Sequence, residues 1–332
     1  MNFLNGPQYH VWISDSTNVN VNGVTVMVDI EDQLDVYRYI GGSEKTMNLK
    51  EVLFNSGKIG PSTSFMTSSF SPEYIQNARI RALPSFLSSE DWFNEEWRIT
   101  PPFPMIYALN TDGIDISGAN IHVWNCSITN FDDTVCPKPR TGCSTNYLIE
   151  DIRITYGVGV SMGSVPPDPG NNCISGVVAR RLHFESPLKA IYIKPNPAKS
   201  DPAATGEISN ITYEDVDIYN PIWWSIWVGT QQQQQPGSAG TGCSFLYPLD
   251  NTTCPTDPQV SVFNITLRRV NIYNSNSPGV LLMNVSNPGR NFLWEDVVYQ
   301  NISGWPIGND YICENIQGKS IGKTTPIPPC FT

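Results

Sequence analysis

Asn120-Ile121-His122-Val123-Trp124-Asn125-Cys126-Ser127-Ile128 decides the fold, because its pattern returns along the chain. Nine-residue windows opening at Asn18, Asn120, Asn146, Gly176, Asn210, Asn264 and Asn291 share it, and six of the seven open on Asn. Position seven is apolar throughout: Val24, Cys126, Ile152, Leu182, Val216, Val270 and Val297. Position nine is too: Val26, Ile128, Ile154, Phe184, Ile218, Ile272 and Tyr299. Positions two and four add pairs such as Ile121/Val123, Ile211/Tyr213 and Ile265/Leu267. Apolar residues at every second place predict strands with one buried face, not helices. Asn at the head of each window suits a tight bend, since it tolerates the left-handed conformation and can bond its own backbone.

From Cys126 to Val297 the position-seven residues stand 26, 30, 34, 54 and 27 residues apart. A unit of that length, carrying its own strands and stacked on its neighbours, is a solenoid. The widest gap holds an obvious insertion, Gln231 to Asp257. An antiparallel sandwich would need hairpin turns every ~8–12 residues, and Asn-Gly occurs only at 5–6 and 22–23. The expected fold is therefore all-β, a right-handed parallel β-helix forming one domain over 1–332. Two departures from the repeat are expected, a loop insertion at 230–258 and a partly helical insertion near 30–105. Within the latter, Thr46 to Phe54 and Pro72 to Leu83 read as helices, and Trp92, Phe93 and Trp97 cluster ahead of Pro101-Pro102. A solenoid needs a cap on its first coil, and neither a cap nor a leader sequence is visible. The chain is expected to lack its true start.

Net charge is −11 with a pI near 4.7, which argues against nucleic acid or an anionic membrane as partner. No run of about 18 apolar residues suggests a membrane span. Low charge content (15%), 25 Gly and 27 Pro fit a loop-rich extracellular β protein. Eight cysteines form an even set. Cys243–Cys254, Cys313–Cys330 and Cys136–Cys143 are the expected local bridges, with Cys126 in the core and Cys173 lacking an obvious local partner. A metal site is not expected, because there is no CxxC pair and only three His. Six N-x-[ST] sequons, at Asn125, Asn210, Asn251, Asn264, Asn284 and Asn301, suit a secreted glycoprotein.

The chemistry centres on Asn110-Thr111-Asp112-Gly113 and, one short repeat later, Asp132-Asp133. Asp112 and Asp132 are 20 residues apart, close to one turn of a β-helix, and successive turns lie about 4.8 Å apart. All three acids should meet on one outer face. Facing carboxyl groups are the minimum equipment for breaking a glycosidic bond; an isolated Asp-Asp pair would equally suit a turn.

Further along come Gly157-Val158-Gly159, Ser161-Met162-Gly163-Ser164 and Ile193-Lys194. In this order and spacing, over about residues 105 to 300, the set resembles the polygalacturonases, glycoside hydrolase family 28. The resemblance implies inverting hydrolysis of an α-linked uronide chain without a cofactor, by an extracellular monomer whose partner is a polysaccharide. Carried over by position, Asp132 looks like the general acid. Asp112 and Asp133 look like the carboxylates that hold and deprotonate water. Lys194, Tyr192 and Asn110 look like substrate-binding positions. An inverting acid and base are expected roughly 6.5–9.5 Å apart.

The family's His between two glycines is Val158 here, and the Arg of its Arg-Ile-Lys triplet is Tyr192. Tyr does not replace a charged planar fork that suits a carboxylate. Lys194 reads equally as a substrate-carboxylate ligand or as a solvated lysine at a strand end. Asp115 is expected to face solvent. Among Trp223, Trp224 and Trp227, alternation sends Trp224 to the opposite face, leaving the others as a possible sugar platform. Two other functions stay open: a binding-only β-helix, and a pectate-lyase-like enzyme eliminating through Lys194 or calcium.

Overall fold

The computed structural model describes residues 1–4, 10–28, 111–139, 143–196, 201–232, 242–243, 247–248, 253–304 and 307–331. The expected helices at 46–54 and 72–83, the aromatic cluster at 92–97, Asn110 and most of the 230–258 insertion lie outside these residues. The described residues form sixteen strands in one sheet, every named pairing is parallel, and no helix occurs among them. The chain folds as a right-handed parallel β-helix. The antiparallel sandwich is thereby excluded for this part of the chain.

Long strands supply two sides of each coil: β2 (Val11–Asn22), β4 (Ile114–Asn130), β6 (Cys143–Tyr156), β8 (Asn172–Glu185), β10 (Gly206–Tyr219), β12 (Val260–Ser275) and β14 (Gly289–Ile302). Short strands supply the third side: β5 (Val135–Pro137), β7 (Val160–Val165), β9 (Lys189–Pro195), β11 (Trp224–Val228), β13 (Gly279–Leu282) and β15 (Ile312–Glu314). Asn2–Leu4 (β1), Thr25–Met27 (β3) and Ile316–Ile321 (β16) complete the set.

The register follows the repeat. Cys126, Ile152, Leu182, Val216, Val270 and Val297 stack in one buried file. The position-nine file from Ile128 to Tyr299 stacks beside it. A one-residue slip would turn each file out to water, so burial itself holds the register.

The corner residues explain the Asn at position one. All seven window heads have left-handed backbones, with φ between 55° at Asn210 and 70° at Gly176. Their carboxamides also bond from coil to coil: Asn120 to Asn18 (2.9 Å), Asn146 to Asn120 (2.7 Å), Asn264 to Asn210 (2.9 Å) and Asn291 to Asn264 (2.6 Å). Gly176 interrupts the ladder, and Asn210 donates to Ser175 Oγ instead.

Two expected bridges are present, Cys243–Cys254 and Cys313–Cys330. The third is not. Cys143 bonds Cys173, its direct neighbour across β6 and β8, and Cys136 is a free buried thiol. Neighbours along the chain suggested 136–143, whereas coil register makes residues 30 apart adjacent. Cys126 is a free core residue, as expected.

Candidate active site

The site sits on successive coils at the entry to the face carrying the short strands. Asp112 precedes the start of β4, and Asp132-Asp133 occupies the turn from β4 to β5. Gly113 N donates to Asp133 O (2.8 Å) and Val158 N to Asp132 O (2.8 Å), so Asp112, Asp133 and Val158 fall at neighbouring places on consecutive coils. The three acids converge as expected: one carboxylate oxygen from each lies within 4.8 Å of the others, and all three residues are buried. That approach is tighter than the spacing expected for an inverting pair.

Asn130, which sequence reasoning passed over, shapes the turn. Its buried amide nitrogen donates to the carbonyls of Thr111 (2.9 Å), Asp132 (3.0 Å) and Asp133 (2.9 Å), and its oxygen accepts from Thr134 Oγ1 (3.2 Å). One side chain thus ties the backbones that carry all three acids. Gly157 permits this packing. A Cβ there would lie 2.4 Å from Thr134 Oγ1 and 2.7 Å from Asn130 Oδ1, at a φ of +68°. His10 was also missed; its Nδ1 donates to Asp112 O at 2.9 Å, a carbonyl being able only to accept.

The carboxylates differ sharply in their partners. Lys194 Nζ donates to Asp133 Oδ2 at 2.5 Å and Lys138 Nζ to the same oxygen at 3.0 Å. Burial by itself would raise Asp133; Lys194 and then Lys138 outweigh it and hold the carboxyl well below the usual carboxylate range. Asp112 moves the other way. Burial, with Asp132, Asp133 and Asp115 nearby, raises it well above its ordinary value, and Lys138, 3.9 Å off, offsets this only in part. Adjacent coils therefore carry a carboxyl that favours its proton beside one that is held ionised.

Asp115 is not solvent-facing. It is 3% exposed, its Oδ2 lies 3.5 Å from Lys138 Nζ, and burial raises its carboxyl to about 6 against the pull of Lys138. Oδ1 of Asp112 and Asp115 is buried with no hydrogen-bond partner among the described residues.

Lys194 is 4% exposed, which overturns the solvated strand-end reading. Its ammonium also lies 4.9 Å from the Tyr192 ring centre. Tyr192 is buried, with its hydroxyl accepting from Gln232 N (2.7 Å). Lys189, also missed, packs 5.1 Å from the Tyr192 ring and 5.8 Å from that of Trp227. Burial and the nearby Lys194 lower it to about 7. The tryptophan platform is not present: Trp223, Trp224 and Trp227 are all buried. Asp112, Asp132 and Asp133 stand close enough for a cation to bridge, but the Lys138 and Lys194 ammoniums already meet Asp133, so the donor set does not fit a dedicated metal centre.

The sequence model described as glycosyl hydrolases family 28 matches residues 74–323. The chain belongs to this family. A probable rhamnogalacturonase E from Aspergillus flavus is 35% identical over 104 residues, 31% of this chain and 20% of that one. A probable exopolygalacturonase B from Emericella nidulans is 28% identical over 225 residues, 65% of this chain and 41% of its own. These matches thus span well under half the length of either relative. Among solved family-like folds, the polygalacturonase from Erwinia carotovora superposes over 96% of this chain and 55% of its own, with a TM-score of 0.52 and 18% identity. The endo-xylogalacturonan hydrolase from Aspergillus tubingensis covers 100% of this chain and 63% of its own, with a TM-score of 0.56 and 14% identity. Identity at that level speaks for the β-helix alone.

Proposed function

We propose that the protein is an extracellular, monomeric glycoside hydrolase that cleaves an α-linked galacturonide or related cell-wall uronide with inversion. The observation that carries this reading is the convergence of three buried carboxyls on adjacent coils, with Lys138 and Lys194 holding Asp133 ionised. A single displacement needs one carboxyl to protonate the leaving oxygen and another to activate the water. Family membership supports glycosidase chemistry, and the sequence relatives named as a rhamnogalacturonase and an exopolygalacturonase support an acidic pectic substrate. Three disulfides suit an oxidising compartment.

In this reading Asp132 protonates the leaving oxygen. Asp133, held ionised by two lysines, takes the proton of the attacking water, and Asp112 shares that water by hydrogen bond. Lys194 keeps Asp133 charged and placed. Val158 and Tyr192, standing where the family has His and Arg, shift substrate preference rather than the carboxylate chemistry.

The close approach of the acids favours a second reading, double displacement with retention, whose two carboxyls stand about 5–5.5 Å apart. Three converging acids suit the single displacement better, since two can grip the water while the third serves the leaving group. The anomer first formed, seen by proton NMR, separates the two.

The test of hydrolysis is reducing-end release at about pH 5 from polygalacturonate, rhamnogalacturonan and xylogalacturonan, comparing the native chain with Asp132→Asn. Release that disappears in the variant supports the proposal. A folded protein that releases nothing from any glycan would leave a binding-only β-helix, and an ultraviolet-absorbing unsaturated product would mark elimination instead.

A further inference from the structure

Beside the acids, a cavity of about 410 Å³ opens between the first and fourth coils of the described stack, bordered by Trp12, Asp115, Lys138, Ser164, Pro166 and Asn172. Small-molecule sites typically occupy ~300–1,000 Å³. Trp12 pairs with Asp115 across β2 and β4, and Asp115 in turn with Cys136 on β5. In the same strands Ile13 and Ile116 pack on the core, so alternation turns Trp12 and Asp115 outward into the groove. Trp12 is 57% exposed at the rim of this cavity.

Lys138 forms the other wall. Its backbone is fixed, N donating to Ile116 O (2.8 Å) and O accepting from Ser144 Oγ (2.6 Å). Its side chain is 29% exposed against 5% for Lys194, so of the two lysines on Asp133 it is the one that opens outward. An ammonium has three N–H donors. Among the described residues Lys138 gives one hydrogen bond, to Asp133 (3.0 Å), while Asp115 and Asp112 stand at 3.5 and 3.9 Å.

We propose that Trp12 and Lys138 form a subsite for one uronate unit of the substrate chain, the indole face taking the sugar ring and the ammonium its carboxylate. It rests on the uronide-hydrolase reading and deepens it. It also assigns the charge recognition that Tyr192 does not provide: Lys194 is committed to Asp133, and the Tyr192 hydroxyl to Gln232. An aromatic face and a cation across a groove are the complement of a sugar acid, apolar on its ring face and charged at one edge. The groups facing Lys138 are Asp112, Asp115 and Asp133, with Lys194 behind Asp133. Two of these acids favour their protons through burial, Asp112 strongly and Asp115 to about 6, which eases the approach of a substrate carboxylate in mild acid.

The test is calorimetric binding of trigalacturonate and of the neutral α-1,4-galactotriose, at about pH 5. The Asp132→Asn background prevents turnover, with Trp12→Ala and Lys138→Gln added singly. The expected result is tight binding of the acid over the neutral sugar in the parent. Both ligands should then weaken about tenfold in Trp12→Ala, and the acidic preference should fall roughly ten- to a hundredfold in Lys138→Gln. An unchanged affinity in Trp12→Ala overturns the subsite, as does a preserved acidic preference in a folded Lys138→Gln. If Lys138→Gln does not fold, the exposed Trp12 decides alone. A parent that fails to bind trigalacturonate also overturns the subsite. The hydrolase reading is judged apart, by release from the glycan panel with the native chain.

Discussion

Lys194 Nζ and Asp133 Oδ2 meet at 2.5 Å, although the residues are 61 positions apart in sequence, and both side chains are 5% exposed. An ion pair this deep owes its existence to mutual compensation, since either charge alone would be left in a poorly solvated site. It explains why one acid of the cluster stays ionised while Asp112, one coil away, is pushed the other way.

Lys194→Met should therefore destabilise the fold by about 3–5 kcal/mol, the cost of an uncompensated buried charge, moderated by Lys138. Lys194→Met combined with Asp133→Asn should recover part of that loss, because no charge is left stranded. Urea unfolding of the single and double variants checks this; equal stabilities would mean the pair is not coupled.

Asn130→Ala removes a side chain that satisfies three carbonyls at once. A loss of about 1–3 kcal/mol is expected, since the Thr111 carbonyl loses this donor while Asp132 O and Asp133 O keep the amides of Val158 and Gly113, with a fall in kcat larger than any rise in KM, because the turn bearing Asp132 and Asp133 loses its tie. Steady-state kinetics on whichever glycan the native chain cleaves, beside thermal unfolding, would show it.

Gly157→Ala places a methyl against Thr134 Oγ1 and Asn130 Oδ1 in a left-handed backbone. The left-handed conformation alone costs about 1–2 kcal/mol, and the clash pushes on the same turn. Lower melting temperature together with reduced turnover is expected, while Gly23→Ala, where a Cβ meets nothing within 4 Å, should show only the conformational cost.

Asp115 supplies a pH dependence with a definite sign. Its folded carboxyl is raised from 3.8 to about 6, so its contribution to stability is fully present below the unfolded value and is lost as pH rises through about 6. Carried over that range it amounts to on the order of 3 kcal/mol. Asp133 runs oppositely: its lowered carboxyl stabilises above the unfolded value and loses that only as pH falls through its depressed folded value. Unfolding free energies at pH 4 and 7 should converge in Asp115→Asn relative to the native chain; an unaltered difference would refute the assignment.

Asn264 holds the ladder between Asn210 and Asn291 in a left-handed corner. Asn264→Ala should cost about 2–3 kcal/mol from lost hydrogen bonds and backbone strain, whereas Asn264→Gly, which keeps the corner, should cost less. Chemical denaturation of the two variants provides the comparison.

Much of this site was visible in the sequence because it obeys the coil. Asp112 and Asp132 converge since 20 residues make nearly one turn, and Lys194 joins them from two coils further on. Asp115 was misjudged because its exposure depends on Lys138, whose side chain reaches it from the neighbouring coil. Cys173 lacked an obvious partner because that partner lies across the sheet rather than along the chain, and alternation, which set Trp224 apart from Trp223 and Trp227, does not show that both faces here are buried.

The sequence by itself determined the solenoid, its inward files, its Asn corners and the meeting of three carboxylates. All of these follow from local alternation and a repeat length, which act within one coil or between coils in register. Only the tertiary structure decided which acid is ionised, which lysine is buried against it and which faces the groove, and which cysteines join. Those outcomes depend on desolvation and on distances of a few ångströms between side chains from different coils, where a small change in reach or burial alters the balance of charge.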